Sequence, residues 1–558
     1  MGLENHEAVS LALGSVSIFG QTLSACMRGF EKYNSAKDLS TDAIELRVNL
    51  EWTRSRLETW SEGWDIENGS HLSNPHFQKY GQMTINHLVF INYILAELGN
   101  VDDIFPTLRD AATYAPTSPA ISLARLSRTA GVSLDELEAL RRKIEQLDTD
   151  AGHVEKARWA LEEKGPLKMA ATVKGMVEDL FLQFPPPEGD VAGLLVKNKI
   201  LQSDREEWLD AAARNAESNP VLSALTLLKV EALRLEQRAT NMKSADPDRD
   251  FGVLVEEKIE GKRGTGKYFN QEERPYQLPI LIEVKEVGNS LRTDDHHKRI
   301  RNIARLLSMK DKPSEMRTLD CIGVVSISER DSTIHKLLYQ LPAPKFFTLS
   351  SVLSGRRNTL PLGKKFACAK ILCRAVLYLH LAGWLHKGLR SDNVVFCAAE
   401  EADCDLAQPY LCGFEYSRQA AVPQDTAPVD DDVHNNLYRH PDVQGVPTFR
   451  IEYQRMHDVY ALGMILLELG SSRSLRRLKK KYQESSQPLQ NWTAEGFRTW
   501  ILENINGTKS DFTLAPLMGE IYTEVVDACL RGFKNDDGRS FVETFFLKIV
   551  RRIDSCVA

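Results

Sequence analysis

Residues 244–250, reading Ser-Ala-Asp-Pro-Asp-Arg-Asp, are polar and broken by Pro247, and they divide two stretches of different character. Before them, apolar residues recur at helical spacing; after them come short apolar runs that read as strands. A chain of 558 residues is too long for one hydrophobic core. The sequence therefore predicts a multidomain chain: an all-α helical bundle with a connecting helix over 1–243, a linker over 244–250, and an α+β region over 251–556.

Composition narrows the function classes. Apolar residues make up 42% and charged residues 26%, as in ordinary globular proteins. A net charge of −7 and a pI near 6.1 give no reason to expect a nucleic-acid partner. The nine cysteines form no CxxC pair, so they read as reduced, buried thiols rather than disulfides or zinc ligands. No run reaches the ~18 consecutive apolar residues of a constitutive membrane span. Glu4 and Glu7 stand where a secretory signal carries positive charge, and His6 stands where a myristoylation pattern starting at Gly2 wants Ser or Thr. The expected compartment is the cytoplasm, with recruitment to a membrane as an added state.

In the first half, residues 8–20 are apolar or small without one charge. As a helix they would be about 20 Å long, short of the roughly 30 Å hydrocarbon core, unless the helix continued through Leu23, Cys26 and Met27. The alternative is a buried first helix of a bundle. Ile44, Val48, Trp52, Leu57 and Trp60 form an apolar stripe beside Glu45, Arg47, Glu51 and Arg54. Ser133 and Glu136 make a capping-box pattern opening a helix over 133–147. Further helices are expected over 154–161 and 167–182, ended by Pro185, Pro186 and Pro187. Leu225, Leu228, Ala232 and Leu235 give a short heptad seam, expected to pack within the chain.

The small, apolar opening, the Trp-bearing helix over 44–60 and the 156–182 block with Arg158-Trp159-Ala160-Leu161 resemble a fungal HeLo domain, of the prion-inhibition and propagation type. The likeness covers roughly the first 185–240 residues. It implies a helical effector or regulator of fungal incompatibility and cell death whose first helix can be released into membranes. On that implication Val9, Leu11, Leu13, Val16, Ile18 and Phe19 are the membrane-active residues.

The second half is organised around residues 385–396, Leu-His-Lys-Gly-Leu-Arg-Ser-Asp-Asn-Val-Val-Phe. These resemble the catalytic loop of a protein kinase, whose HRDLxxxN pattern supplies a catalytic Asp and a metal-binding Asn. His386 and Asn393 stand, but Gly388 occupies the Asp position. Residues 410–418 resemble the metal-binding DFG segment, with Gly413 in place of Asp, Phe414 retained and Glu415 in place of Gly. The catalytic base and the main magnesium ligand are therefore both missing, and no metal site is expected.

Other landmarks follow in kinase order. Gly264 and Gly266, with Gly261, lie where a phosphate-covering loop would, although Phe269 replaces its third glycine and a plain glycine-rich hairpin is the alternative. The strand over 279–285 resembles the VAIK strand, which makes Lys285 the candidate nucleotide-phosphate partner; the alternative is a solvent-facing lysine. The next stretch, 294–308, has acids only at Asp294 and Asp295, so the usual Lys–Glu pair lacks its acid. Strands are expected over 321–328 and 333–341, and a long helix over 366–385. Residues 438–442 resemble the APE region, Asp458 the acid that braces the catalytic loop, and Arg531 the arginine that pairs with the APE acid, here Asp442. The basic run 473–481 reads as a solvated insertion, with anionic lipid as the alternative.

The resemblances imply a helical membrane-active domain controlled by a bilobal pseudokinase, an order also similar to that of the mixed-lineage kinase domain-like proteins. No cofactor is required, and ATP is the nucleotide that Lys285, Gly264 and Gly266 would take. Membrane lipids, further copies of the chain and an upstream signalling protein are the expected partners. Two alternatives stand beside this reading: an active atypical kinase using Lys285 and Asn393 with Asp392 or Glu415 in displaced carboxylate roles, and a non-enzymatic scaffold.

Overall fold

The computed structural model describes residues 26, 41–64, 84, 87–88, 91, 94–95, 166–183, 193–194, 197–198, 200–203, 205–215, 220–241, 253–269, 277–288, 293–355, 360–414, 416–420, 432–445, 451–485, 493–507, 512–533 and 540–558. Residues 9–19, proposed above as membrane-active, and the helices expected over 133–147 and 154–161 lie outside the described residues. So does the linker at 244–250. The chain forms two compact units, Met1–Ser218 and Asn219–Ala558.

The first unit is helical where it is described. Helix α1 (Thr41–Gly63) packs against α2 (Pro166–Gln183) and α3 (Glu206–Asn215). The buried face of α1 carries Trp52, Leu57 and Trp60, and that of α2 carries Ala170, Val173, Val177 and Leu180 at 3-4-3 spacing. Thr53 and Thr59 are buried as well; each hydroxyl donates to the carbonyl four residues back, at 2.7 Å, so neither is left unsatisfied. Pro166 opens α2 at a position where its missing N–H costs nothing. No helix among the described residues is long and apolar enough to cross a membrane.

The second unit combines antiparallel sheets with helices. It opens with α4 (Pro220–Asn241), followed by β1 (Val253–Glu260), β2 (Arg263–Phe269), β3 (Gln277–Gly288), α5 (Thr293–Leu307), β4 (Cys321–Ser328) and β5 (Ser332–Gln340). The five strands form one antiparallel sheet in the order β1-β2-β3-β5-β4, and α5 packs against β3 and β4. Ile280, Ile282, Leu338 and Tyr268 make the sheet's buried core.

The unit continues with β6 (Lys345–Thr348), α6 (Leu349–Gly355), α7 (Leu362–Leu381), β7 (Trp384–Leu385), β8 (Val394–Ala398), β9 (Tyr410–Leu411), β10 (Arg418–Gln419) and α8 (Arg455–Ser471). Next come α9 (Leu475–Ser485), α10 (Ala494–Ile505), α11 (Ala515–Met518) and α12 (Glu520–Arg531). Helices α7 and α8 are packed together, and nearly every side chain from His457 to Ser471 is buried. Helix α7 ends four residues earlier than its apolar pattern predicts, because Gly383 takes a left-handed turn (φ +79°) and sends Trp384 and Leu385 into a strand.

The sequence grouped α4 with the amino-terminal bundle. The structure groups it with the sheet: Leu222, Leu225, Leu228 and Ala232 are buried, and α4 packs on α5. Arg305 of α5 also reaches Glu231 of α4 at 2.8 Å. The heptad seam is real, but its partner is a helix some 70 residues away in sequence.

Candidate functional site

Helix α7 and the β7 strand deliver the loop 386–393 to the centre of the second unit. Asp458, in the first turn of α8, is 1% exposed and accepts hydrogen bonds from four donors. These are the backbone N–H groups of His386 (2.8 Å) and Lys387 (2.9 Å), the Tyr453 hydroxyl (2.8 Å) and His380 Nε2 (3.3 Å). Burial opposes its charge, but the hydrogen bonds and the field of the neighbouring histidines outweigh it and hold its carboxyl below the usual range. His380 is fully buried, and burial lowers its pKa against the opposing pull of the Asp458 carboxylate.

This clamp fixes an unusual backbone. Lys387 sits in the left-handed region at φ +61°, which a non-glycine residue adopts only when its surroundings demand it. Its ammonium lies 5.6 Å from the centre of the Tyr453 ring, and burial together with Arg418 and Arg299 pushes its pKa down to about 8. The His386 ring packs on Phe414 with centroids 4.5 Å apart, and its Nδ1 accepts from the Gly388 N–H at 3.2 Å.

Asn393 is completely buried and occupies the place between the two glycines. Its Nδ2 donates to the Gly388 carbonyl at 2.7 Å. A Cβ on Gly413 would lie 2.1 Å from that same Nδ2, and Gly413 has φ +81°. A Cβ on Gly388 would meet the Gly413 carbonyl at 2.9 Å. Thus Gly413 cannot take a carboxylate side chain while Asn393 stays where it is, and a side chain at position 388 would press on the Gly413 carbonyl.

Two residues that sequence reasoning missed complete this centre. Glu283 of β3 is 5% exposed and accepts from the Gly413 N–H at 2.8 and 3.1 Å through its two oxygens. Arg263 of β2 donates to Glu283 Oε1 (2.7 Å), to Asn393 Oδ1 (2.7 Å) and to the Asp392 carbonyl (2.5 Å). A signal for Glu283 was present: it is the one acid inside the apolar run 280–284.

The residues singled out as nucleotide contacts stand on the same sheet. Gly264 and Gly266 lie in β2, opposite Ile282 and Ile280 of β3. A Cβ on Gly264 would come within 2.4 Å of the Lys258 carbonyl, so the tight β1–β2 hairpin itself requires glycine there. The Lys285 ammonium stacks 3.7 Å from the centre of the Tyr416 ring. With Lys262, Arg263, Glu283, Leu337 and Arg390 it lines a cavity of about 110 Å³.

Arg531 and Asp442 do not pair as the sequence suggested. Arg531 reaches back one helical turn to Asp527 at 2.8 Å, and Asp442 lies 3.5 Å from His440. The near acid on the same helix wins because closing that contact orders almost no additional chain.

A divalent metal does not fit this arrangement. The oxygens best placed to hold one, on Glu283, Asn393 and Asp392, already converge on the Arg263 guanidinium, and Gly413 offers no carboxylate.

Residues 10–211 match the family model HeLo, described as prion-inhibition and propagation. The amino-terminal unit thus carries a HeLo domain, and the match ends seven residues before that unit does. No curated protein matches the chain.

Proposed function

We propose that this chain is a signalling effector of the fungal cell-death and incompatibility type, in which the HeLo domain is governed by a kinase-like domain that transfers no phosphate. The kinase-like reading is supported by the order of its parts. A lysine on the third strand of an antiparallel sheet is followed by a helix, then by a loop carrying His386 and Asn393 and a segment carrying Phe414.

The observation that carries the loss of chemistry is the seat of Asn393. It fills the space where a side chain at position 413 would have to go, and a side chain at 388 would press on the Gly413 carbonyl, so both carboxylates are absent and the place at 413 is closed. Phosphoryl transfer then lacks an orienting base and a metal ligand together.

Control of the effector falls to α4, which begins two residues beyond the amino-terminal unit. Leu228 lines a small apolar void with Ile303 and Leu307 of α5, Met316, Trp384 and Phe414. A ligand or partner that favours a different seat for α5 therefore changes the seat of α4, and the helix transmits the shift toward residue 218.

The test uses the full chain and dye release from anionic liposomes. Leu228→Ala removes a 2%-exposed side chain and weakens the α4 seat by about 3 kcal/mol. The wild type is expected to release little dye, Leu228→Ala substantially more, and Leu228→Ala without residues 1–22 none. Equal release by the three forms would sink this mechanism. Magnesium-dependent phosphate transfer abolished in Lys285→Ala would establish an active kinase instead.

A further inference from the structure

The basic run at 473–481, expected from the sequence to be a solvated insertion with anionic lipid as the alternative, enters the helix α9. One side of that helix is anchored. Leu475, Leu478 and Tyr482 are buried, the Tyr482 ring packs on Phe497 and Trp500 of α10 with centroids 5.7 and 5.6 Å apart, and the Leu475 N–H donates to Glu468 of α8. At about 3.6 residues per turn these three positions share one face, and Arg476, Arg477, Lys480 and Glu484 fall on the other. All four are exposed.

The charges on this outer face do little for the fold. Lys480 comes within 3.8 Å of Glu484, but a contact so open to water contributes little. Arg476 and Arg477 make no ion pair among the described residues. Both stand in the first turn of α9, which carries no acid, so they oppose the helix dipole rather than complement it. Three cations are thus held outward at a cost to the helix, by a face that is fixed from behind.

We propose that the outer face of α9 docks on an anionic lipid bilayer, through the headgroups of acidic phospholipids. Charge complementarity calls for an anionic partner, and the shape of the face selects which one. The outward positions 476, 477, 480, 483, 484 and 485 carry no apolar or aromatic side chain. A convex helix of this kind offers an acidic peptide no groove and offers the bases of a nucleic acid no ring to stack on. A carpet of headgroups needs neither, because it meets Lys and Arg charges without a fixed register. With nothing apolar facing outward, α9 rests on the headgroups and does not enter the hydrocarbon. Docking of this kind holds the second unit at a membrane surface and is independent of how the HeLo domain is released.

The test is co-sedimentation of the full chain with vesicles of phosphatidylcholine alone or of phosphatidylcholine with phosphatidylserine. Wild type is expected to bind the acidic vesicles about tenfold or more tighter than the neutral ones, and to lose that binding as salt rises from about 0.05 to 0.5 M. Arg476→Ala/Arg477→Ala/Lys480→Ala should weaken it by about tenfold or more at an unchanged melting temperature. Arg476→Lys/Arg477→Lys keeps the charge and should bind like wild type. Arg477→Glu alone gives a second measure should the triple variant melt lower, and it too should bind more weakly. Wild type is expected to bind a short DNA duplex less well than the acidic vesicles at the same salt. Failure of wild type to bind acidic vesicles, binding that survives both the triple variant and Arg477→Glu, or a preference for the duplex would each overturn the docking surface. The readout is binding and not dye release, so this docking and the α4 mechanism fail separately.

Discussion

Glu468 gives the second unit a pH response that can be worked out in advance. It is 2% exposed on α8; one oxygen accepts from the Tyr438 hydroxyl and the other from the Leu475 N–H, both at 2.7 Å. Tyr438 in turn bonds Ser391 in the loop at 2.6 Å. Burial pushes the Glu468 pKa up to about 7, against 4.5 for an ordinary glutamate, despite these hydrogen bonds. The folded chain therefore keeps a proton that the unfolded chain releases between those values. The associated stability is fully present below pH 4.5 and is lost as pH rises through 7. At about 1.4 kcal/mol per unit, the 2.5-unit gap amounts to roughly 3 kcal/mol over the whole window. His335 and His457, each held down to about 4 mainly by burial, act with the opposite sign over pH 4–6.5, so the wild-type curve alone is ambiguous. The informative quantity is the difference between wild type and Glu468→Gln in urea denaturation at pH 5 and pH 8. Glutamine mimics the protonated acid, and the Tyr438 hydroxyl can turn to accept its amide. The variant should gain about 2–3 kcal/mol relative to wild type between the two pH values. Parallel curves for the two proteins would refute the assignment of a protonated Glu468 to the folded state.

The same centre yields two further predictions. Gly413→Asp, made alone or with Gly388→Asp, should destabilise the chain by more than about 2 kcal/mol in thermal or urea unfolding and restore no magnesium-dependent phosphate transfer. The new Cβ would stand 2.1 Å from Asn393 in a left-handed backbone. Asp458→Asn should cost about 2–3 kcal/mol in the same assay, because an amide cannot accept all four of the present donors and offers none of the charge; a melting temperature within a degree of wild type would contradict this.

Much of the architecture was legible because it rests on local pattern. The apolar stripe of α1, the proline limits of α2 and the alternation in β4 and β5 are written in adjacent residues. The loop at 386–393 was singled out for another reason, the spacing of His386, Gly388 and Asn393. What surrounds these residues could not be seen. The contact of Arg263 with Asn393 spans 130 positions, and no period or spacing announces it. Likewise the seam of α4 revealed that the helix is buried on one side but not which surface buries it. The expected Arg531–Asp442 pair failed on the same ground in reverse, since the acid that takes Arg531 is a local one, Asp527.

Gly388, Gly413, Asn393, Arg263 and Glu283 form an interdependent set. A carboxylate at 413 needs Asn393 to move, and moving Asn393 removes one of the three acceptors of Arg263. Withdrawing Arg263 removes a 2.7 Å ion pair from a buried carboxylate that also holds the Gly413 N–H. Each single change within this set thus disturbs the contacts of the others. Because the network joins the five-stranded sheet to the loop, it also fixes one arrangement of the domain against which the seat of α4 is defined.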